Sequence, residues 1–170
     1  MKNLSYYFIL LVFSILNLGC KDSKDEALLG MYFSNSVYIS IKDPKGTDLL
    51  DPSNPESLTR FRVYYLINGK RKLIYDPWMD APYGYVIEKF AVNDHYHLQV
   101  FANFPNIDND KSLECITYLE FEDGSTDTIA ASYVIRKAYT AINKASYNGQ
   151  LEWDEAKPNA DLSTFKVIKP

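Results

Sequence analysis

The chain has few cysteines, glycines and prolines for its 170 residues, and it has no excess of positive charge. Two cysteines are too few for a miniprotein stapled by disulfides. Seven glycines and eight prolines exclude a collagen-like or low-complexity chain. Because 18 basic residues stand against 22 acidic ones, the net charge is −4, and we expect no nucleic-acid partner.

Aromatic and apolar residues are abundant instead. Hydrophobic residues make up 46% of the chain and aromatic residues 15%, with 14 tyrosines and 9 phenylalanines. This is too much apolar surface for a disordered chain and enough for one globular domain. Aromatic side chains are enriched in strands, so the composition predicts β structure.

The first nineteen residues predict a secretory signal peptide. Lys2 supplies a short positive region, and residues 6–16 form an apolar run interrupted only by Ser14. The run is shorter than the roughly 20 residues that span a bilayer comfortably. We therefore expect a cleaved signal in residues 1–19, with a transmembrane anchor as the alternative.

The end of the apolar run carries a small residue directly before a cysteine, at Gly19 and Cys20. This arrangement resembles the lipobox of bacterial lipoproteins, although Asn17 stands where the usual pattern has Leu and Leu16 lies one residue earlier. The resemblance implies cleavage before Cys20, a diacylglycerol on its thiol and an acyl chain such as palmitate on its new amine. Two or more acyl chains anchor a protein stably to a membrane.

A mixed-charge stretch, residues 21–26, follows the cysteine. Its Lys followed by acidic residues is similar to the surface-export signal of Bacteroidota lipoproteins, which implies the outer membrane and exposure on the cell surface; the periplasmic leaflet is the alternative. We expect residues 20–28 to be a lipidated cysteine with a charged tether and residues 29–170 to fold. Cleavage would remove Lys2 and no acidic residue, which leaves 151 residues with a charge of −5.

Beyond the tether, apolar residues recur at every second position. Val37, Ile39 and Ile41, for example, alternate with more polar residues. A period of two predicts half-buried strands. We predict strands over residues 31–41, 61–67, 70–75, 83–90, 95–104, 113–121, 126–135, 139–147, 150–153 and 165–168.

Turn signals separate these strands. Asn68-Gly69 and Asn148-Gly149 predict type I′ hairpin turns, and Asp123-Gly124 predicts a third turn. Short strands with turns at this spacing predict an all-β, antiparallel β-sandwich, which we expect to be immunoglobulin-like. A helix over residues 130–144 is the alternative for one segment. Residues 43–59 are expected to form a long connection between sheets.

Residues 76–85 are the most unusual segment, because they concentrate aromatic residues in a loop with two prolines. Flat aromatic faces suit contact with a sugar or a peptide. We therefore consider these residues a candidate ligand-binding loop: Trp78, Met79, Tyr83 and Tyr85. The competing interpretation, which we favour, is that Trp78 and Met79 plug one end of the sandwich.

Candidate metal ligands are sparse. His95 and His97 would share one face of a strand, but a zinc site needs at least a third ligand, and two half-exposed strand histidines are the alternative. Asp108 and Asp110 lie in an acidic turn that resembles a calcium loop only loosely, since Lys111 takes the place of the required glycine. We expect no metal site and no cofactor.

Catalytic motifs are also missing from the sequence: it contains no Gly-x-Ser-x-Gly elbow, phosphate loop or His-Glu-x-x-His. Its carboxylates stand where a solvated face is expected, and Cys115 is expected to be a small buried apolar residue. We expect no enzyme. The leading hypothesis is a lipid-anchored binding or accessory module for an extracellular glycan or protein partner. The alternatives are a structural subunit of an envelope complex and, third, a hydrolase.

Overall fold

The computed structural model describes residues 32–91, 94–105, 114–157 and 164–169. In these ranges no helix is long and apolar enough to cross a bilayer. The described residues form strands joined by turns and loops. The strands are β1 (Tyr32–Ser34), β2 (Ser36–Lys42), β3 (Arg62–Ile67), β4 (Lys70–Leu73), β5 (Tyr85–Lys89), β6 (Tyr96–Phe101), β7 (Glu114–Glu120), β8 (Thr126–Arg136), β9 (Tyr139–Tyr147), β10 (Gln150–Asp154) and β11 (Thr164–Ile168).

These strands form two sheets that pack face to face. The first has the order β1-β9-β8-β7-β3-β4. Strand β1 pairs with the first residues of β9 and strand β10 pairs with its last residues, on the same side of β9. The second has the order β11-β2-β6-β5. Among the described pairs, β1–β9 and β11–β2 are parallel and the others are antiparallel. The predicted all-β sandwich is confirmed, with a parallel pair at one edge of each sheet; the immunoglobulin-like topology stays a prediction.

The core lies between the two sheets and follows the predicted alternation. Val37, Ile39 and Ile41 of β2 are fully buried, as are Leu98 and Val100 of β6. Strand β7 contributes its predicted inner face to the same core. The inner residues of β7 and of the strands beside it include Val63, Cys115, Thr117, Leu119, Ile129, Ala131 and Tyr133. Burial of every second side chain therefore sets the register of both sheets.

The predicted strand over residues 31–41 is broken at Asn35. Residues before it belong to the first sheet as β1, and residues after it belong to the second sheet as β2. Asn35 holds the crossing point, because its side-chain amide donates to the carbonyl oxygen of Ala102 at 3.1 Å and its own carbonyl accepts from the Ala102 N–H at 2.8 Å. The alternation of buried residues begins only after the break, at Val37, and β1 does not share it.

The predicted hairpin turns at Asn68-Gly69 and Asn148-Gly149 are confirmed. Both residues of each turn have positive φ: 51° and 73° in the first, 49° and 81° in the second. Positive φ at both central positions is the type I′ conformation, whose twist matches that of the flanking strands. The alternative of a helix over residues 130–144 is wrong, because β8 and β9 pair as a hairpin there.

The long connection of residues 43–59 joins β2 of the second sheet to β3 of the first, as predicted. It is not only a surface loop, however. Leu49 and Leu50 are 6% and 2% exposed and belong to the core. Asp48 fixes their position, since its Oδ1 accepts from the Leu50 N–H at 2.9 Å and its Oδ2 accepts from the Tyr96 N–H at 3.1 Å.

Candidate functional site

The segment between β4 and β5 is closed at its base by hydrogen bonds. The Asp76 N–H donates to the carbonyl oxygen of Pro82 at 2.8 Å, so residues 76–82 form a loop that we call the aromatic loop. Asp76 also accepts from the Trp78 N–H through Oδ1 at 3.0 Å and from the Met79 N–H through its carbonyl at 3.2 Å. Proline at positions 77 and 82 fixes φ at two further places. The loop is therefore ordered without being buried.

Trp78 and Met79 project into solvent from this loop. Trp78 is 93% exposed and Met79 is 62% exposed. The interpretation of these two residues as a plug for the end of the sandwich is wrong, because a plug would be buried against the core. Both side chains are therefore available for contact with a ligand or a partner.

Three tyrosines flank the aromatic loop in the sequence, and their rings form a row. The rings of Tyr75 and Tyr83 lie 5.2 Å apart with a 36° tilt, and those of Tyr83 and Tyr85 lie 6.5 Å apart with a 39° tilt. Tyr75 and Tyr83 are more than half exposed, whereas Tyr85 is half-buried. The Tyr85 hydroxyl accepts from the Phe61 N–H at 3.3 Å, which holds this ring against the sandwich. We call these residues the tyrosine row.

A groove of about 790 Å³ lies beside the tyrosine row. This volume is within the range of small-ligand sites. The groove lies at the start of β3 and the end of β7, next to the chain that leaves β4. The apolar side chains that line it, besides the tyrosine row, are Phe61, Val63, Leu73, Ile74 and Phe121. The groove can therefore accommodate the apolar face of a ligand.

Two arginines and two glutamates supply the polar part of the groove lining. Arg62 of β3 forms an ion pair with Glu120 of β7, its direct cross-strand neighbour. Arg60 and Glu122, both exposed, line the same groove. Their formal charges balance, so the groove offers donors and acceptors without a net charge. Neither the arginines nor the glutamates were identified as site residues from the sequence, because 55 or more residues separate the two pairs along the chain.

Gly84 brings the tyrosine row close to the sheet. Its φ is +76°, a conformation that residues with a side chain seldom adopt. A Cβ at this position would lie 3.1 Å from Ile74 Cγ2 and 3.4 Å from Val63 Cγ1. Glycine is therefore required here by both the backbone conformation and the close packing beneath the groove.

The two histidines differ in their surroundings. His95 is exposed, whereas His97 is only 3% exposed, so the expectation of two half-exposed histidines is wrong for His97. The His97 ring stacks on Phe90 with centroids 4.4 Å apart, and its Nδ1 donates to the carbonyl oxygen of His95 at 3.2 Å. Burial lowers the pKa of His97. No cluster of three or more His, Cys, Asp or Glu suited to a metal occurs in the part of the chain that the structure describes.

A second, smaller cavity of about 410 Å³ adjoins these histidines on the outer face of the second sheet. Lys42 of β2 and Lys166 of β11 line it together with Ser40. The sequence did not predict this grouping, because only the parallel pairing of β11 with β2 brings Lys166 beside Ser40. Besides the two histidines, its lining consists of two lysines, a serine and two apolar residues, so it supplies no third ligand for a zinc ion.

One carboxylate that was expected on a solvated face is buried. Asp127 is 8% exposed and accepts hydrogen bonds from the Tyr147 hydroxyl at 2.6 Å and the Asn148 amide at 2.9 Å. Lys169 Nζ lies 2.9 Å from the same carboxylate and 3.8 Å from the centre of the Phe121 ring. These contacts tie the last residues of the chain to the first sheet, which is a structural role.

The other candidate residues fall into two groups. Cys115 is buried in the core, as predicted, and forms no disulfide. Residues 1–28, with the signal peptide, Cys20 and the charged tether, lie outside the described residues, as do Asp108 and Asp110. The lipidation of Cys20 and the calcium-loop alternative therefore stay predictions.

The groove and the tyrosine row together can hold a ligand that has a flat apolar face and polar edges. The aromatic rings bind the apolar face of such a ligand. The guanidinium groups donate hydrogen bonds to its polar edges, and the carboxylates accept hydrogen bonds from them. Within the groove lining, Glu120 is already paired with Arg62, so this lining presents a binding surface more readily than a pair of catalytic carboxylates. No protein-family model, no curated protein and no solved structure matches the chain.

Proposed function

We propose that the chain is a lipid-anchored binding module of the bacterial cell envelope, and that it holds an extracellular glycan in the groove beside the tyrosine row. The observation that carries this proposal is the pair Tyr75 and Tyr83, two rings 5.2 Å apart and both more than half exposed. Aromatic side chains exposed together in an ordered arrangement are typical of a recognition surface.

A glycan fits this surface better than other extracellular ligands. A sugar ring has an apolar face of C–H groups and a rim of hydroxyls that both donate and accept hydrogen bonds. The tyrosine row and the apolar groove lining suit the C–H face of the sugar. The arginines and glutamates of the lining, whose charges balance, suit its hydroxyls. Because the charges of the lining cancel, we expect a neutral glycan rather than an acidic one. A protein partner is the alternative occupant of the same surface.

The membrane anchor in this proposal is Cys20, acylated after removal of residues 1–19. Residues 21–26 support export to the cell surface, with the periplasmic leaflet as the alternative location. Protease treatment of intact cells tests this part. Degradation of the protein on intact cells is expected, whereas protection until the outer membrane is broken would indicate the periplasmic leaflet.

The alternative of an assembly subunit depends on strand addition at an uncovered sheet edge. Strand β4, at one edge of the first sheet, has four residues, all of them exposed and three of them basic. Short, positively charged edge strands oppose the addition of another strand. This observation favours the binding module over the assembly subunit.

The test is glycan binding by the mature, lipidated protein purified from membranes in detergent. We expect binding to neutral glycans on an array, followed by calorimetry with the best ligand. Tyr83→Ala and Tyr75→Ala are each expected to weaken affinity by about tenfold, the equivalent of about 1.4 kcal/mol. Tyr32→Ala is the matched control, since Tyr32 is 54% exposed and does not line the groove.

Two results would contradict this assignment. The first is an array on which no glycan binds above the level of a heat-denatured sample. The second is affinity that is equally insensitive to substitution in the tyrosine row and at Tyr32. Capture of a protein partner that is lost in Tyr83→Ala would replace the glycan with the protein ligand.

A further inference from the structure

We propose that the cavity of about 410 Å³ on the outer face of the second sheet binds a phosphate group, held by Lys42, Lys166 and Ser40. We call it the lysine cavity. It shares no lining residue with the groove beside the tyrosine row, so it is a second site and does not rest on the function proposed above. The phosphate group is that of the free ion or of a small ester, two sources that calorimetry separates.

Strand pairing brings the polar side chains of the lysine cavity together. Lys166 of β11 and Ser40 of β2 are direct partners in the parallel pair. Lys42 lies two residues after Ser40 on the same strand, and alternate residues of a strand share a face. On the other side of β2, strand β6 contributes His97 to the same cavity. Polar groups from three neighbouring strands therefore converge on one volume.

The two lysines of this cavity are not engaged elsewhere. Lys42 is half-buried and Lys166 is exposed, and neither forms an ion pair with another described residue. The cavity lining contains no carboxylate. Two ammonium groups that share a cavity repel each other, and an anion placed between them offsets that repulsion. The lining therefore favours a negatively charged ligand.

Two acidic residues lie near the lysine cavity without lining it. Glu88 of β5 is the direct partner of His97, on the side of β6 that faces away from β2. Asp48 accepts hydrogen bonds from the backbone N–H groups of Leu50 and Tyr96, at 2.9 Å and 3.1 Å. Burial lowers the pKa of His97 by more than these carboxylates raise it. The His97 ring is therefore neutral at pH 7.

The ring of His97 supplies a hydrogen-bond acceptor to the cavity. His97 is 3% exposed, and its Nδ1 donates to the carbonyl oxygen of His95 at 3.2 Å. Its Nε2 has no hydrogen-bond partner among the described residues, and it is not one of the polar atoms sealed from solvent. Because His97 lines the lysine cavity, this nitrogen faces the cavity. A neutral Nε2 accepts a hydrogen bond, which the P–O–H group of a hydrogen phosphate donates.

The donor types favour phosphate over carboxylate. The lining contains no arginine, whose planar fork suits a carboxylate. The lysine ammonium groups act as point charges toward phosphate oxygens, and the Ser40 hydroxyl adds a further donor. A water molecule takes up roughly 30 Å³, so the cavity has room for more than the free ion. Ile168, which is 62% exposed and also lines the cavity, offers contact to the carbon part of an ester.

A second group of cations, on β4, does not form a comparable site. Its residues are Lys70, Arg71 and Lys72, all exposed, and they line neither of the two cavities described above. The Arg71 guanidinium lies 3.8 Å from the centre of the Tyr118 ring. What distinguishes the lysine cavity is that its cations share a concave volume with an acceptor that lacks a partner.

Calorimetry tests the proposal on the mature, lipidated protein in detergent at pH 7, with sodium phosphate as the ligand. We expect one phosphate to bind per chain. Glycerol 3-phosphate is the second ligand, with glycerol as its control. Tighter binding of the ester assigns the site to phosphate esters, and tighter binding of sodium phosphate assigns it to the free ion. Sodium acetate that binds as tightly as phosphate would overturn the assignment to phosphate.

A pair of matched variants locates the binding site. Lys166→Gln is expected to weaken phosphate binding by about tenfold, because a hydrogen bond from a charged group is lost. Lys72→Gln is the control, since it removes the same charge from an exposed strand residue that lines neither cavity. It should leave the affinity unchanged, and melting temperatures check that both variants fold. Equal weakening by the two variants would show general attraction to positive charge and overturn the site.

The imidazole signals of His97 in NMR spectra supply a readout that does not depend on the lysines. The chain contains two histidines, so the signals that persist in His95→Ala belong to His97. We expect the His97 signals of the wild-type protein to shift as phosphate is added, with the dissociation constant found by calorimetry. No heat and no shift at about 10 mM phosphate would overturn the proposal, because a site with a Kd of about 1 mM would then be mostly occupied. Heat without a shift of these signals would place the anion elsewhere and overturn it as well.

Discussion

The hydroxyl of Tyr147 donates a hydrogen bond to Oδ2 of Asp127 on β8 at 2.6 Å, and this carboxylate is buried. Burial by itself would raise the pKa of Asp127. The hydrogen bonds that it accepts outweigh burial, so the pKa of Asp127 lies below its usual value. The donors are Tyr147, Lys169 and Asn148.

Acid is therefore expected to destabilise the protein through Asp127. The stabilising contribution is complete above the unfolded pKa of about 3.9 and is lost as the pH falls through the lower folded pKa. Asp127→Asn is expected to lower the free energy of unfolding at neutral pH by about 1–3 kcal/mol. Urea unfolding at several pH values checks this, because the difference between wild type and variant should shrink as the pH falls below about 4, the unfolded value.

Asp80→Asn is the control for this prediction. Asp80 is exposed in the aromatic loop, so its substitution should leave the urea midpoint unchanged at every pH. A wild-type protein whose stability advantage over Asp127→Asn persists undiminished in acid would contradict the assignment of this effect to the carboxylate.

The two tryptophans are expected to respond differently to truncation. Trp78 is 93% exposed, so Trp78→Ala should change the free energy of unfolding by no more than about 0.5 kcal/mol. Trp153 packs against the core, so Trp153→Ala should cost about 2 kcal/mol or more. Chemical denaturation of both variants measures the contrast. Equal losses would mean that Trp78 is buried after all.

Gly84→Ala is expected to destabilise the protein by about 1–3 kcal/mol. The new methyl group would meet Ile74 at 3.1 Å, and the backbone would have to keep a φ of +76°. Gly46→Ala is the matched control, since its φ is +89° but no atom lies within 4 Å of its Cβ position. Denaturation midpoints should therefore fall further for Gly84→Ala; an equal fall would leave only the backbone strain as the cause.

Cys115 is expected to react with a thiol reagent only when the protein unfolds. It is 7% exposed in the core beside β8, and it forms no disulfide. Reaction of the mature protein with a maleimide should be slow in buffer and fast in denaturant, because access then requires opening of the sheet. Rapid modification in buffer, without loss of structure by circular dichroism, would make Cys115 a reactive thiol instead.

Several local features of the fold were predictable because they depend on neighbouring residues. The Asn-Gly pairs placed two hairpin turns correctly, since few residues adopt positive φ at both positions. The alternation in β7 identified Cys115, Thr117 and Leu119 as an inner face. The break at Asn35 was missed, because no glycine or proline interrupts residues 31–41.

The candidate site was predictable only in part. The aromatic loop was recognised from its composition, but the interpretation that the sequence favoured for Trp78 and Met79, a plug at one end of the sandwich, is wrong because both side chains are exposed. Tyr75, Arg60 and Arg62 were not recognised, since each of them looks like an ordinary strand or edge residue. The groove exists because the start of β3, the end of β7 and the chain after β4 meet, and these segments are distant from one another in sequence.

The sequence by itself determined that this protein is built of strands, where its tight hairpins turn, and which residues of each strand share a face. Its first residues also carry the case for a lipid anchor. Only the tertiary structure decided which of those faces are covered: it exposed Trp78, and it buried His97 beneath Phe90 and Asp127 beside Tyr147. The physical reason is that a period of two divides a strand into two faces, whereas burial depends on partners that the fold brings from elsewhere in the chain.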